Sequence, residues 1–358
     1  MATNSEAFYR LKNVFNSGFG SIETTAVNTA MKLRLRRQLS QFMKPTDTLL
    51  PEYKTRIEAY WKPYHKVDTR YHAWYSSRNG ICDPRYIPDD LYYTVIDQHF
   101  NNRKYGWGVN DKNYYSLLFP DVKQPMTVVR KINNIYYDAD YRIISEMEAI
   151  GLCKQQDALI IKPANETGGS RGIQFWTMGE DIKGIVKKHR SLIVQTLIKQ
   201  HKALSEIHSN SVNTLRIMTL IINNQVYHIS TILRMGVGES KVDNASAGGI
   251  TCGVKENGQL KNIAYNAHGE RFAEHPQGYH FSDCKVPSYH AAVEMVKHCH
   301  ERLGHFRLVS WDVAIDDEEE PVLIEANLRN GECDFHQFNN GPLFGNLTDQ
   351  VLQEVFKK

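Results

Sequence analysis

Residues 310–330, SWDVAIDDEEEPVLIEANLRN, constrain this chain most, because two apolar stretches flank an acidic turn. Along a strand every second side chain points to the same face. A turn at residues 317–319 therefore predicts a hairpin in which Asp312 lies opposite Glu325, with Asn327 on the same face. Carboxylate and amide oxygens suit Mg²⁺, so these three residues are a candidate metal site. The alternative is an ordinary hairpin with polar residues on its solvent side.

A second segment, ALIIKPANETGGSRGIQF at residues 158–175, has features of a phosphate-binding loop. It predicts an apolar strand ending near Lys162, a loop containing Gly168, Gly169 and Gly172, and a second strand. Glycine lets the backbone approach phosphate oxygens, and a lysine at the strand end adds positive charge. The GxxxxGK[ST] spacing of a P-loop is absent. The alternative is a flexible hairpin loop with an incidental lysine.

The N-terminal part of the chain has a different charge balance. Residues 1–66 contain 11 Lys and Arg against 5 Asp and Glu, whereas the whole 358-residue chain has a net charge of only +3. Residues 5–16, 22–43 and 51–62 are predicted to form helices. A positive region attracts anionic substrates. The short basic cluster at residues 32–37 is interpreted as a solvated helix face, so we assign no nucleic-acid partner to it.

Hydropathy gives no sign of a membrane protein. The start of the chain, MATNSEAFYR, lacks the apolar core of a signal peptide. No stretch approaches the roughly 18 uninterrupted apolar residues of a transmembrane helix. We therefore expect a cytoplasmic protein with no membrane span.

Several segments, in this order along the chain, resemble the ATP-grasp superfamily, and most closely its sugar-transfer-associated branch. The resemblance covers roughly residues 80–345. Lys112, in Asp111-Lys112-Asn113, resembles the family lysine that reaches the nucleotide phosphates, and Lys162 resembles the second phosphate lysine before a glycine-rich flap. Residues 192–198, LIVQTLI, resemble the strand and hinge that meet adenine, with Gln195 in place of the usual acid.

The C-terminal half adds three further points of resemblance. Arg216, in VNTLRIMTLII, corresponds to an arginine that faces the terminal phosphate. Arg234 and Asn244, in RMGVGESKVDNASAGG, correspond to residues near phosphate or acceptor in peptide-forming members. The sequence Glu325-Ala326-Asn327-Leu328-Arg329 resembles the E-x-N-x-R ending also seen in biotin carboxylase, with Arg329 near the substrate. This last element is the most specific of the set.

The resemblance implies a role for each of these residues. Nucleotide binding is expected for Lys112, Lys162, Gly168, Gly169, Ser170, Gln195, Leu197 and Ile198. Metal binding is expected for Asp312, Glu325 and Asn327. Catalytic contacts are expected for Arg216, Arg234, Asn244 and Arg329.

The resemblance also implies an architecture and cofactors. The expected class is α+β, an ATP-grasp fold in which two lobes clamp ATP. We expect residues 1–110 to form a mainly helical region of unknown role and residues 111–358 to form the ATP-grasp domain. Within it, the first lobe is expected at about residues 111–195 and the second at about residues 196–345. The expected cofactors are ATP and one or two Mg²⁺ ions, for which Mn²⁺ could substitute.

The implied function is an ATP-dependent carboxylate-amine ligase that forms an amide through an acyl phosphate, in bacterial polysaccharide or cell-surface glycan biosynthesis. Its partners would be a small-molecule carboxylate, such as a uronic acid, sugar nucleotide or amino acid, and an amine. Two alternatives remain open. One is an ATP-grasp kinase or phosphotransferase. The other is a catalytically inactive nucleotide-binding partner of a glycan assembly complex, against which the intact lysines and carboxylates argue.

Overall fold

The computed structural model of the protein describes residues 21–165 and 171–357. It contains two antiparallel sheets with helices packed against them, so the expected α+β class is confirmed. The helices predicted at residues 22–43 and 51–62 are present as α1 (Ser21–Phe42) and α2 (Pro51–Trp61). The helix predicted at residues 5–16 lies outside the described residues.

The elements follow in chain order. The strands are β1 (Thr127–Ile132), β2 (Ile135–Tyr137), β3 (Ile143–Ile144), β4 (Ala158–Pro163), β5 (Gln174–Thr177), β6 (Leu192–Thr196), β7 (Thr214–Ile222), β8 (Gln225–Met235), β9 (Ile250–Val254), β10 (Leu260–Tyr265), β11 (Arg271–Phe272), β12 (Leu308–Ile315) and β13 (Pro321–Asn327). The other helices are α3 (Arg70–Asn79), α4 (Asp89–Leu91), α5 (Asp97–Phe100), α6 (Gly106–Val109), α7 (Tyr115–Leu118), α8 (Glu146–Cys153), α9 (Ile182–Lys187), α10 (Lys202–Ser205), α11 (Tyr289–His300), α12 (Cys333–Asn340) and α13 (Thr348–Phe356). A π-helical turn, Tyr92–Ile96, joins α4 to α5, and 3₁₀ turns occur at Arg103–Tyr105, Lys112–Tyr114, Ala245–Ala247, Phe281–Asp283 and Gly345–Leu347. Among the described residues, no helix has the length and apolar character needed to cross a lipid bilayer.

The first sheet has the strand order β3-β2-β1-β6-β4-β5. Its apolar side packs against α8 and α9, through side chains such as Ala149 and Ile182. α8 begins at a capping box in which the Ser145 and Glu148 side chains satisfy each other's backbone N–H groups. β4 and β6 pair in the middle of the sheet, so Lys162 lies beside the strand that leads into the predicted hinge.

The second sheet has the strand order β11-β10-β9-β8-β7-β12-β13. Every residue of β12 is buried, because both faces of the sheet are covered. α11 covers one face, where Val296 belongs to the same apolar cluster as Trp311. α2 and α13 cover the other face, where Ile57 and Val351 share a cluster with Leu220. This rigid, two-sided packing holds the charged side chains of β7, β8 and β12.

The N-terminal helices pack against the second sheet and share its hydrophobic clusters. Leu39 of α1 and Trp74 of α3 lie in one cluster with Tyr265 of β10 and Phe338 of α12. Trp74 and Phe338 meet edge to face, with ring centroids 4.7 Å apart. The division of the chain near residues 110 and 195 stays a prediction.

The predicted hairpin is formed by β12 and β13, and Asp312 lies opposite Glu325 as predicted. A β-bulge produces this pairing. Near the turn Val313 pairs with Leu323, so Ile324 is an extra residue before Glu325 pairs with Asp312. Without the extra residue the pairing beyond it would slip by one and turn Glu325 to the other face.

The acidic tip of this hairpin contacts two connecting segments, one that leads from the N-terminal helices into β1 and one that leads from β6 to β7. The Lys123 ammonium lies 2.6 Å from Asp316, 2.9 Å from Glu318 and 2.5 Å from Glu320. On the second connection, the Lys199 carbonyl accepts a 2.9 Å hydrogen bond from the Asp317 N–H. The turn is therefore the place where the two connections meet.

Candidate active site

A cavity of about 290 Å³ lies between the two sheets, and its charged lining comes mainly from the second sheet. Of the predicted site residues it brings together ten: Lys112, Lys162, Leu197, Ile198, Arg216, Arg234, Asn244, Asp312, Glu325 and Asn327. These residues come from six separate stretches of the sequence. The fold therefore assembles one site from residues that were predicted motif by motif.

One end of the cavity is apolar. Ile160 of β4 and Phe175 of β5 line it from the first sheet, and Ile324 lines it from the second. Leu197 and Ile198, just after β6, complete this end. Such a slot suits a flat, weakly polar ring with free main-chain groups at its edge.

The opposite end is a network of ion pairs centred on Asp312. The Arg216 guanidinium holds Asp312 with two hydrogen bonds of 2.8 Å, from Nε and Nη2. Arg234 Nη1 donates to the same carboxylate at 3.0 Å, and its Nη2 donates to Asp243 at 3.1 Å. The remaining Arg216 nitrogen, Nη1, pairs with Glu332. Paired and bidentate, these side chains are fixed in place before any ligand binds.

The network keeps Asp312 ionised. Burial of the carboxylate raises its pKa, but the charges of Arg216 and Arg234, with the hydrogen bonds from Arg216, lower it to about 2. Asp312 is only 7% exposed, so its charge is held by these partners and not by water. A fixed negative charge of this kind can bind a cation or orient cationic side chains at any physiological pH.

The first predicted phosphate lysine, Lys112, bridges to the second sheet. Its ammonium lies 2.8 Å from Glu325 Oε1. Its backbone N–H donates a 2.9 Å hydrogen bond to the Ala164 carbonyl, two residues beyond Lys162. The Asp111 side chain caps this turn by accepting from the Asn113 N–H at 2.9 Å. The two predicted phosphate lysines are thus tied together through the backbone.

The second predicted phosphate lysine, Lys162, has no such pairing among the described residues. It is 7% exposed, and within residues 21–165 and 171–357 no carboxylate comes within salt-bridge distance of its ammonium. Burial and the neighbouring Lys112 charge lower the pKa of Lys162 to about 8, against the opposing effect of Glu325 and Asp312. A buried cation without a partner costs free energy that an anionic ligand would relieve.

The predicted metal ligands Asp312, Glu325 and Asn327 line one side of the cavity and offer two carboxylates and an amide, the oxygen donors that Mg²⁺ takes. Glu325 is paired with Lys112, so a cation bound there would compete with the lysine for its oxygens. These oxygen donors suit a divalent ion that is also bound by phosphate. The phosphate could then pair with the Lys112 ammonium that the ion displaces from Glu325.

Two predicted residues do not line the cavity. The Gln195 side chain turns to the Pro125 carbonyl, to which it donates at 3.3 Å. Arg329 turns towards the N-terminal region, where its Nη2 donates to the Arg103 carbonyl at 3.2 Å. Gly168, Gly169 and Ser170 lie outside the described residues.

The cavity also contains residues that the sequence reasoning missed. They include Tyr93, Phe175, Lys241, Asp243, Ile324 and Glu332. A signal existed for Asp243, because an acid directly precedes Asn244 in the segment that was singled out. Asp243 accepts from the Thr214 backbone at 3.2 Å and so ties this loop to β7.

The loop that carries Asn244 depends on a close backbone approach. A Cβ at position 249 would lie 2.5 Å from the Asp243 carbonyl oxygen and 2.9 Å from that of Asn244, so glycine is required at Gly249. The Gly249 N–H donates to the Asn244 carbonyl at 3.0 Å. The tight turn brings the Asn244 side chain to Arg234, which donates a hydrogen bond to it.

One part of the chain is similar to a known protein family. Residues 180–353 match a family model described as sugar-transfer associated ATP-grasp. No curated protein sequence matches the chain significantly.

Among solved structures, an L-amino acid ligase from Bacillus licheniformis has 17% identity and a TM-score of 0.41, covering 69% of this chain and 48% of that one. The D-Ala:D-Ser ligase VanG from Enterococcus faecalis has 13% identity and a TM-score of 0.42, covering 69% and 60%. The biotin carboxylase domain of 2-oxoglutarate carboxylase from Hydrogenobacter thermophilus, solved with MgADP and bicarbonate, has 11% identity and a TM-score of 0.44, covering 72% and 47%.

This chain thus spans about half to three fifths of the length of those proteins. All three TM-scores are below 0.5, so these structures carry no argument about the family. The resemblance to the sugar-transfer-associated ATP-grasp branch, stated from the sequence motifs, is confirmed over residues 180–353 by the family match.

Proposed function

We propose that this protein is an ATP-dependent carboxylate-amine ligase that forms an amide through an acyl phosphate, in bacterial polysaccharide or cell-surface glycan biosynthesis. The observation that carries the proposal is the buried, unpaired Lys162 ammonium, which lies in one cavity with an apolar slot and a network of arginines. This combination suits a ligand with a flat base at one end and phosphates at the other. ATP has that form.

The apolar slot is suited to the adenine ring. Ile160, Phe175 and Ile324 would contact its faces, and the main chain at Leu197 and Ile198 would meet its polar edge. Because the Gln195 amide already donates to Pro125, the adenine edge depends on backbone groups in this proposal. The sequence predicted contacts with adenine from Gln195, Leu197 and Ile198. We now propose these contacts for Leu197 and Ile198 alone.

The phosphate chain would run from this slot towards Asp312. Lys112 and Lys162 would supply positive charge along it. Mg²⁺, bound by Asp312, Glu325 and Asn327, would neutralise phosphate charge when present. Among the described side chains, Lys112, Arg216 and Arg234 pair with four carboxylates, those of Glu325, Asp312, Asp243 and Glu332. None of these four lies within salt-bridge distance of Lys162, so phosphates would supply a direct anionic partner for it.

The acyl substrate would bind beyond the terminal phosphate, beside Arg216, Arg234 and Asn244. Its carboxylate oxygen attacks the terminal phosphorus, ADP leaves, and an amine then displaces phosphate from the acyl carbon. Phosphoryl transfer depends mainly on positioning and charge neutralisation. The ion-paired arginines are held rigidly enough to do both, and no nucleophilic side chain is needed. Arg329, turned towards residue 103, would act on substrate only after a side-chain rearrangement.

The test begins with ADP release from Mg-ATP in a matrix of carboxylates and amines. Uronic acids, sugar nucleotides and amino acids form the carboxylate set. For a productive carboxylate, hydroxylamine replaces the amine, and we expect a hydroxamate together with transfer of ¹⁸O from the carboxylate into phosphate. ADP release with neither signal would identify a kinase or phosphotransferase. ATP binding without ADP release from any acceptor would identify an inactive nucleotide-binding protein.

A further inference from the structure

The N-terminal region, which has no assigned role, contacts the chain segment that follows β13. This segment, residues 329–337, runs from the end of the E-x-N-x-R element into α12. Its hydrogen bonds to the N-terminal region join Arg329 to Arg103, Asn330 to Asp97, Asp334 to Tyr93 and Gln337 to Ile87. The N-terminal region therefore supports the stretch of chain that brings Asn330 and Glu332 to the cavity.

The turn at residues 330–332 has an unusual backbone. Asn330 and Glu332 both adopt left-handed conformations, with φ of 53° and 59°. The Glu332 N–H donates to the Asn330 carbonyl at 2.8 Å, so the turn is tight. A left-handed conformation is uncommon for glutamate and persists where the surrounding structure holds it.

On one side the 330–332 turn is held by β12. The Ser310 hydroxyl donates to the Gly331 carbonyl at 3.1 Å. A Cβ at position 331 would overlap that hydroxyl oxygen, so glycine is what allows the turn to lie this close to β12.

On the other side the turn is held by Asp97, the first residue of α5. Asp97 Oδ1 accepts from the Asn330 N–H at 3.2 Å and from the Asn101 amide at 3.1 Å. Its Oδ2 pairs with Arg103 at 2.9 Å, and the residue is 1% exposed. Asn101 in turn makes two hydrogen bonds, of 2.8 and 3.1 Å, to the backbone of Leu308 at the start of β12. Asp97 is therefore a buried and rigidly mounted acceptor for the turn.

The turn presents Glu332 to Arg216. Asp312 holds one edge of the Arg216 guanidinium, at Nε and Nη2, and Glu332 binds the remaining nitrogen, Nη1. Contacts on both sides keep the guanidinium from pivoting about its Asp312 edge. The Glu332 side chain is 35% exposed, so its position depends on the backbone of the turn more than on packing around it.

We propose that Asp97 is a positioning residue for the reaction. It holds the 330–332 turn and, through Glu332, fixes the direction of Arg216. The inference rests on the function proposed above, in which Arg216 lies beside the reacting groups, and it gives the N-terminal region a part in catalysis without contact with substrate. Phosphoryl transfer is sensitive to the placement of charged groups, so loss of this hold should lower the rate more than the nucleotide affinity.

Two substitutions of Asp97 test its role as an acceptor. Asp97→Leu removes the acceptor of the Asn330 N–H, whereas Asp97→Asn keeps an oxygen there. With a substrate pair that is productive in the ADP screen, kcat should fall at least about fivefold in Asp97→Leu and clearly less in Asp97→Asn, while Kd for ATP changes less than about twofold. A smaller fall in Asp97→Leu, an equal fall in both variants, or an equal rise in Kd would overturn the proposal.

Asp47 offers a matched control in the same region. It is buried, pairs with Arg78 and accepts from the Lys44 N–H at 2.8 Å, so its contacts are of the same kind as those of Asp97. Asp47→Leu should leave kcat of the folded protein unchanged, with circular dichroism and denaturant unfolding as the measures of folding. A loss of kcat equal to that of Asp97→Leu would assign both residues to the fold alone.

A double-mutant cycle tests the route through Glu332. Glu332→Ala removes a partly exposed side chain at the edge of the cavity, so it should fold normally even if Asp97→Leu does not. Its kcat should fall with little change in Kd for ATP. If Asp97 acts through Glu332, the double variant should lose little more than the larger single loss. Losses that multiply, or an unchanged kcat in Glu332→Ala, would rule out this route.

Hydrogen–deuterium exchange distinguishes failure of this inference from failure of the proposed function. The backbone amides of residues 330–332 should exchange at least about fivefold faster in Asp97→Leu and no faster in Asp47→Leu, whatever the reaction is. Unchanged exchange in Asp97→Leu rejects Asp97 as the residue that holds the turn and leaves the ligase proposal standing. ADP release without hydroxamate in the wild type rejects the ligase, and the kcat comparison then uses the acceptor that releases ADP. No ADP release with any acceptor rejects the proposed function and, with it, a part for Asp97 in catalysis.

Discussion

The two walls of the cavity differ in whether their cationic side chains are paired with carboxylates. The first-sheet wall is apolar at Ile160 and Phe175 and contains the buried Lys162, whose ammonium has no carboxylate within salt-bridge distance among the described residues. The second-sheet wall contains two arginines, Arg216 and Arg234, whose guanidinium groups are fully engaged with carboxylates. A ligand therefore gains most free energy at Lys162, whereas the second wall supplies a fixed geometry. We therefore expect Lys162 on the first sheet to contribute most to ligand affinity, and Arg216 and Arg234 on the second sheet to position the ligand.

The largest effect is expected from breaking the second wall at its centre. Asp312→Asn leaves Arg216 and Arg234 without their shared carboxylate and removes a metal ligand. ATP turnover should fall by about two to three orders of magnitude. The free energy of unfolding should also fall, by roughly 3 kcal/mol, because a buried charge loses its partner. Steady-state ADP release and denaturant unfolding measure the two changes. Asp317→Asn, at the exposed hairpin tip, is the control, and an equal loss there would refute the distinction.

The first wall is tested at its lysine. Lys162→Met keeps the length of the side chain but removes the charge, so Kd for ATP should rise about 10- to 100-fold while Kd for adenosine stays the same. Isothermal titration measures both constants. The variant should be at least as stable as the wild type, because it removes an unpaired buried cation. Lys183→Met, an exposed lysine on α9, should change neither constant. A parallel loss of adenosine binding would assign Lys162 to the fold and not to phosphate.

A pH dependence follows from the same lysine. Its pKa in the unliganded protein is about 8, so it loses its proton as pH rises through 8, and phosphates bind only the protonated form. ATP affinity should therefore fall above pH 8, by at most about tenfold per pH unit. Titrations between pH 7 and 9.5 check this. The same slope in Lys162→Met would mean that another group is responsible.

The smallest effect is expected where the two walls touch. Lys112 and Glu325 form a pair whose side chains are 11% and 20% exposed. In a double-mutant cycle of Lys112→Met and Glu325→Gln, the coupling in the free energy of unfolding should be about 1 kcal/mol without nucleotide. It should decrease with MgATP, because phosphate and metal separate the pair. A coupling that grows with MgATP would show that Lys112 stays on Glu325.

The hairpin was predictable because its evidence is local. Two apolar strands and an acidic turn lie within 21 residues, and alternation along the strands places Asp312 near Glu325. The bulge at Ile324 was not predicted, because it is visible only in the strand register, which shifts by one residue between Asp312 and Val313. The same bulge places Ile324 in the apolar lining of the cavity, so a detail of strand pairing determines part of the cavity surface.

Residues brought in from distant segments could not be predicted in this way. Tyr93 reaches the cavity because the N-terminal helices pack on the second sheet, and no spacing in the sequence records that contact. Glu332 follows the E-x-N-x-R element in a left-handed conformation, with φ of 59°, which is uncommon for glutamate. The side-chain directions of Gln195 and Arg329 depend on partners at Pro125 and Arg103 that the motifs do not contain.

The acidic tip of the β12–β13 hairpin determines how the two sheets respond to solution conditions. Lys123, on one connection, is bound by three carboxylates of the tip, and Lys199, on the other, accepts a backbone hydrogen bond from it. Exposed ion pairs weaken with added salt, whereas the buried pairs of Asp312 are largely shielded from it. High ionic strength should thus weaken the junction between the sheets while leaving the buried ion pairs of Asp312 intact.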